Sequence, residues 1–319
     1  MTEKGYLEGS SANHKSHWRA WARACRLYGW TQMPADERTL QRYTYHVLSN
    51  ETIGGRTFIN RLDGIRAIHV KMGYNVDFGE KAMPRLALQK RRFLQLRPPG
   101  LKEKEPITMG FLEQLLSTLD KECDDQQMMR AMLAFAYGGM LRVSEYHYGP
   151  RAKCKPKVGD IKEISEEHLV YEFRASKGNQ LQERERVVMC CRCPRVCAVH
   201  EIWTMLKRKG DKLSREQNLF ALSDGRSLRD DQINSLISKL CDELGIDDTN
   251  ATSHCLRAGA ITDALAAGVP QAIVQVLSRH KDPKSMLPYI RPSNATLSNV
   301  LRKKFGSQSH SEQWQRRYC

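Results

Sequence analysis

Apolar residues recur every three or four positions over most of this chain, the period of helices that bury one face. Trp18, Trp21, Cys25 and Tyr28 form one such stripe, Leu40, Tyr43, His46 and Val47 a second, and Ile59, Leu62, Ile65, Ile68 and His69 a third. No alternating pattern interrupts them, so residues 14–80 read as a small helical domain. Residues 1–13 are polar and small and are expected to be disordered. Helical spacing resumes near residue 106. Thr108 is placed to cap a helix carrying Phe111, Leu112, Leu115, Leu116 and Leu119, and Met128–Tyr137 predicts the next. Two strands follow, His168–Phe173 and Glu185–Met189, separated by the polar stretch Ser176–Gln182 that marks a hairpin. Ile233, Leu236, Ile237, Leu240 and Leu244 then return to the helical period. The predicted class is mainly α. A helical N-terminal domain precedes an α-rich domain, residues 106–305, with a small antiparallel β-sheet, and a polar tail at 306–319 ends the chain.

Charge sharpens the picture. The 319 residues carry a formal net charge of +15, which in a globular protein points to a polyanionic partner. Seven basic residues, Lys81, Arg85, Lys90, Arg91, Arg92, Arg97 and Lys102, fall in a window without one acidic residue, and Pro98-Pro99-Gly100 then breaks any helix. The sequence thus places a basic, phosphate-contacting linker at 81–105; a solvated helix face is the plainer alternative. No apolar run of membrane-spanning length and no signal peptide is visible, so an intracellular protein is expected, nuclear if eukaryotic and otherwise in the cytoplasm or nucleoid.

Several polar residues stand where chemistry could be built. Arg142 follows Gly138-Gly139 at a helix end, with Glu145 three residues on to orient its guanidinium. Thr252 or Ser253 caps a helix whose first turn carries His254 and Arg257 on one face, offering an imidazole, a guanidinium and free amides to a phosphate. His280 precedes Tyr289 by nine residues. Each element alone is common; a surface Arg and a packing Tyr are the ordinary readings.

Taken in order, Arg142 with Glu145, Lys177 in the hairpin, His254-x-x-Arg257, His280 and Tyr289, the chain resembles the tyrosine recombinases, the phage-type integrase family of Cre and lambda integrase. The resemblance covers residues 105–305, and residues 14–80 match the family's core-binding domain in architecture. It implies a site-specific recombinase that cleaves and rejoins duplex DNA without metal, ATP or other cofactor, through a 3′-phosphotyrosine at Tyr289, as a tetramer on two recombination sites. Arg142 and Arg257 would clamp the phosphate, His254 act as base and Lys177 as acid, while His280 would donate a hydrogen bond to a phosphate oxygen or help place Tyr289. Arg184 is the lesser candidate for the hairpin cation. Two departures stand out. The family often has Gly before the second His, where this chain has Arg279, an added positive charge; and Ala258-Gly259 follows Arg257 in place of the usual context. Type IB topoisomerases and hairpin-forming telomere resolvases share the chemistry, and a catalytically silent DNA-binding protein would share the charge. A metal-dependent transposase needs a carboxylate set, whereas the acidic pairs Asp124-Asp125, Asp230-Asp231 and Asp247-Asp248 read as helix starts or loops.

Two further features remain open. Cys190, Cys193, Cys197 and His200 are zinc-type ligands within eleven residues, though the adjacent Cys190-Cys191 departs from the usual C-x-x-C knuckle, and a strand end followed by a helix with buried thiols is the plainer reading. After Tyr289, Leu297, Val300 and Leu301 form a short apolar stripe, and Phe305, Trp314 and Tyr318 sit in a polar tail. These are expected to dock on a neighbouring protomer, against the alternative of packing in cis.

Overall fold

A computed structural model describes residues 8–98, 105–150, 152, 154–173, 184–191, 195–210, 213–246 and 250–289. The chain divides into two compact units, residues 1–103 and 104–319.

The first unit holds four helices, α1 (Glu8–Tyr28), α2 (Glu37–Asn50), α3 (Gly55–Lys71) and α4 (Pro84–Leu96). Its core joins Trp21 and Cys25 of α1, Leu40, Tyr43 and Val47 of α2, Phe58, Leu62 and Ile65 of α3, and Leu86 and Phe93 of α4. The three stripes of the sequence are therefore the buried faces. Asp36 caps α2 by accepting from the Thr39 amide. His69 is buried, with Nε2 accepting from the Ala35 amide and Nδ1 donating to the Ile65 carbonyl, so it is a satisfied core histidine.

Two boundaries differ from expectation. α1 begins at Glu8, inside the stretch expected to be disordered, because extending an existing helix adds a hydrogen bond for each residue fixed. Residues 84–96, placed in a linker by their charge, form α4 and pack against α2 and α3 through Leu86 and Phe93, seven residues apart on one face. Charge dominated the reading of that window, but two large apolar residues at helical spacing decide its structure. Several of its cations are held internally. Lys90 donates to the Phe78 carbonyl, Arg91 pairs with Glu80 at 3.0 Å, and Arg97 donates to the carbonyls of Glu51 and Leu48. Lys81, Arg85 and Arg92 are exposed.

The second unit contains α5 (Met109–Ser117), α6 (Asp124–Gly138), strands β1 (Ile161–Ile164), β2 (His168–Phe173) and β3 (Glu185–Cys190), then α7 (Ala198–Lys209), α8 (Asp230–Glu243), α9 (Ser253–Ala266) and α10 (Gln271–Leu277). The sheet has order β1-β2-β3, antiparallel throughout. β2 and β3 were legible from sequence. β1 was not, because its four residues, Ile-Lys-Glu-Ile, are half-buried or exposed and carry no long alternation. Every residue from Met128 to Tyr137 except Met129 is buried, so α6 is the central helix, covered by α7 and α9. Asp124-Asp125 and Asp230-Asp231 occupy the first turns of α6 and α8, where carboxylates suit the helix dipole. Lys177, Cys193, Asp247-Asp248, the stripe at 294–303 and the tail at 306–319 lie outside the described residues.

α9 is locked in place by two devices. Asp263 accepts from the Met109 amide at the start of α5, at 2.6 Å, and from the Tyr137 hydroxyl of α6. Gly259 lies against the chain at Ile107, whose amide donates to the Cys255 carbonyl at 3.0 Å; a Cβ on Gly259 would overlap the Ile107 carbonyl oxygen. The departure Ala258-Gly259 is thus a packing requirement. Gly259→Ala is expected to lower stability by about 1–3 kcal/mol or more, as for overpacked cores. Urea unfolding of the two proteins checks this, and equal midpoints would show that the approach relaxes freely.

Candidate active site

Three helix ends build the site. α6 stops at Gly138, Met140 takes a left-handed φ of 48°, and the chain turns so that Arg142 starts a 3-10 turn, Val143–Glu145. Glu145 is fully buried. Its Oε1 accepts from Arg142 Nη1 at 2.9 Å, and its Oε2 accepts from the Arg142 amide at 2.9 Å and from Arg279 Nη2 at 2.8 Å. Burial on its own would raise the Glu145 carboxyl, but the Arg279 and Arg142 guanidiniums outweigh it and hold it below the usual carboxylate range.

α9 supplies the second part. Thr252 is its N-cap, His254 is exposed in the first turn, and Arg257 is 1% exposed one turn later. Arg257 donates to the carbonyls of Met140 and Ser278, and its Nη2 lies 3.4 Å from the His280 ring nitrogens. None of these partners is a carboxylate. Burial and the neighbouring Arg142 and Arg279 guanidiniums make its charge costly and lower its pKa. Among the described residues, three guanidiniums here face two carboxylates, Glu145 and Glu185, the latter 3.4 Å from Arg279. The excess positive charge rests on Arg257, in a buried setting that favours an anion from outside.

The end of α10 supplies the rest. Ser278 closes the helix and Arg279 follows with φ 58°, the left-handed position that glycine usually fills after a helix. This is why a Gly fits before the second His. Here the arginine instead turns its side chain back onto Glu145, the Gly139 and Met140 carbonyls and the Phe173 ring. Its charge is consumed by Glu145 and Glu185, so Arg279 is less an added phosphate ligand than a brace for the carboxylate that holds Arg142. Arg142 Nη2 in turn donates to the Arg279 carbonyl at 2.8 Å. His280 places Nδ1 2.7 Å from Ser278 Oγ, and its ring centroid lies 5.6 Å from that of Tyr289, in the 3-10 run Pro283–Tyr289. Burial, then Arg257, Arg142 and Arg279, push the His280 imidazole down to about 4, so it is neutral near pH 7.

The structure thus gathers Arg142, Glu145, Arg257, His280 and Tyr289, with His254 on the exposed side of the same helix turn and close enough to contribute to the His280 shift. The role of Arg279 was missed; its only signal in the sequence was the replacement of an expected glycine.

The phage integrase family matches residues 107–295. The chain belongs to the phage integrase family. Other members of this tyrosine recombinase group resemble it at length. An integrase/recombinase xerD homolog from Selenomonas ruminantium is 22% identical over 313 residues, covering 95% of this chain and 87% of that protein. The Tn1549 transposon integrase, solved with transposon right-end DNA, superposes with a TM-score of 0.65 at 13% identity over 95% of each chain. The XerH site-specific recombinase, solved on a palindromic difH substrate after cleavage, gives 0.61 at 15% identity over 92% of this chain and 78% of that one. At these identities the solved structures establish the shared integrase fold. Among the described residues of this chain, no helix is long and apolar enough to cross a membrane.

His280 gives the site a pH signature. With its pKa depressed to about 4 against 6.5 in the unfolded chain, folding loses stability as pH falls from 6.5 towards 4, because only the unfolded chain then takes up the proton. An NMR titration of the His280 ring should show a midpoint well below 6, and His280→Gln should flatten the loss of stability over that window. A midpoint near 6.5 would contradict the buried, guanidinium-flanked environment.

Proposed function

We propose that this chain is a site-specific recombinase that breaks and rejoins duplex DNA through a 3′-phosphotyrosine on Tyr289. The observation that carries the reading is Arg257, a buried guanidinium bonded to neutral groups in an arginine-rich site, with Tyr289 beside His280 at its edge. A scissile phosphate is the anion such a site lacks. Bidentate contacts from Arg142 and Arg257 would hold its non-bridging oxygens and gain strength as negative charge builds on them during attack.

In the proposed step the Tyr289 oxygen bonds to phosphorus and the bond from phosphorus to the 5′ oxygen breaks. The tyrosine proton passes to His254, and the departing 5′ oxygen takes a proton from Lys177. The phosphotyrosine conserves the bond energy, so a 5′ hydroxyl can reverse the step on the same or another strand without ATP. Glu145 and Arg279 are positioning residues that keep Arg142 in place. His280, being neutral, donates one hydrogen bond from Nε2 when Ser278 donates to Nδ1, and it flanks the tyrosine ring. A tetramer on two DNA sites is the assembly this reading requires.

Affinity comes from elsewhere. The +15 net charge and the exposed Lys81, Arg85 and Arg92 supply phosphate contacts that depend on salt, not on chemistry. Incubating the protein with nicked recombination-site DNA should trap a covalent adduct on a denaturing gel. Tyr289→Phe is expected to abolish the adduct and leave the dissociation constant within about twofold, since one hydroxyl contributes little beside the phosphate contacts. A persisting adduct would assign the nucleophile to another residue.

Arg85 and Arg92 lie seven residues apart on α4, and neither is held by an ion pair among the described residues. Replacing both with Ala should flatten the dependence of log affinity on log salt by up to about two units. An unchanged slope, measured by fluorescence anisotropy, would remove α4 from the DNA interface.

A further inference from the structure

The junction between β3 and α7 collects three soft ligands that the recombination chemistry does not use. Cys191 directly follows β3, Cys197 is the N-cap of α7, and His200 lies three residues further along. Their ligand atoms all fall within 4.8 Å of one another, and Cys191 Sγ is 3.7 Å from His200 Nδ1. Tetrahedral zinc, with bonds of about 2.3 Å to sulfur and about 2.05 Å to nitrogen, requires sulfur–nitrogen edges of about 3.6 Å and sulfur–sulfur edges of about 3.8 Å. One ion therefore fits with side-chain adjustments of an ångström or less.

We propose that Cys191, Cys197 and His200 bind one zinc ion. Two thiolates and an imidazole select zinc over magnesium or calcium, which take oxygen ligands. Binding releases the two thiol protons and leaves two thiolates balanced by the dication. Cys197 is 3% exposed, at the N-terminus of α7. A cavity of about 500 Å³ lined by Ser165, Glu166, Val199, His200 and Trp203 opens beside His200. Of the expected ligand set, Cys190 is the last residue of β3, exposed and paired with His168 in the ladder, so its neighbour Cys191 takes its place, while Cys193 lies outside the described residues. The site clips β3, whose first residue Glu185 pairs with Arg279, to α7, which packs on α6 where Ala198 meets Gly138. It is a structural clip, separate from the cleavage step.

The test uses the full chain, purified under reducing conditions without chelator. Elemental analysis should find about one zinc per chain. The chelator-stripped protein titrated with cobalt(II) should develop thiolate-to-cobalt charge-transfer absorption and the visible bands of a tetrahedral site. Cys191→Ser, Cys197→Ser and His200→Asn should each weaken cobalt binding by more than about 100-fold, beyond the loss typical of a supporting residue. Wild-type protein with no zinc and no cobalt spectrum overturns the proposal, as does a Cys191–Cys197 disulfide whose reduced form still binds no cobalt. A spectrum unchanged in all three variants places the metal at other cysteines and overturns it too. If a cysteine variant does not fold, the wild-type titration and His200→Asn decide. Metal content is read without DNA, so its failure is distinct from failure of the recombinase reading.

Discussion

The site depends on one carboxylate. Glu145 is fully buried, and both its oxygens are taken by Arg142 and Arg279. An isolated buried carboxylate would be driven to its neutral form; two guanidiniums and a backbone amide keep it charged instead. In exchange it fixes the end of α6 against the end of α10, residues more than 130 positions apart in the chain. Remove that charge and Arg142 and Arg279 would be left facing each other and Arg257 with only Glu185 to offset them.

That arrangement leaves Arg257 without a carboxylate partner of its own among the described residues. Arg257 is as buried as Glu145 but bonds to carbonyls and an imidazole. Carbonyl dipoles hold a guanidinium in position without cancelling its charge, which is the field the proposed scissile phosphate would meet. Chemistry and affinity are thereby separated. In the proposed reading, a few buried cations would define where bond breaking occurs, while the wider surplus of positive charge would supply the salt-dependent attraction to DNA.

Arg279 shows how one substitution can be absorbed. A left-handed residue after a helix costs a side-chain-bearing residue of order 1 kcal/mol relative to glycine. The arginine offsets that with an ion pair to Glu145, a second to Glu185 and contact with the Phe173 ring. It braces the same carboxylate that orients Arg142, so a position usually left without a side chain has become part of the scaffold.

Sequence alone determined the helical stripes, the strands β2 and β3, and the order Arg142, Arg257, His280, Tyr289, because amphipathic period and motif spacing are local properties of the chain. Tertiary structure decided what depends on distant neighbours. Charge marked residues 81–102 as a linker, yet Leu86 and Phe93 find a core on α2 and α3 and draw the window into the first unit. Spacing singled out Cys190, but the register of β3 turns it to solvent and leaves Cys191 beside Cys197 and His200. Gly259 looked like a departure until the Ile107 carbonyl was found against it, and Arg279 looked like an extra phosphate contact until Glu145 claimed it. In each case the deciding partner lies far away in sequence or in another element, and a side chain's charge is assigned only when the fold settles which group it meets.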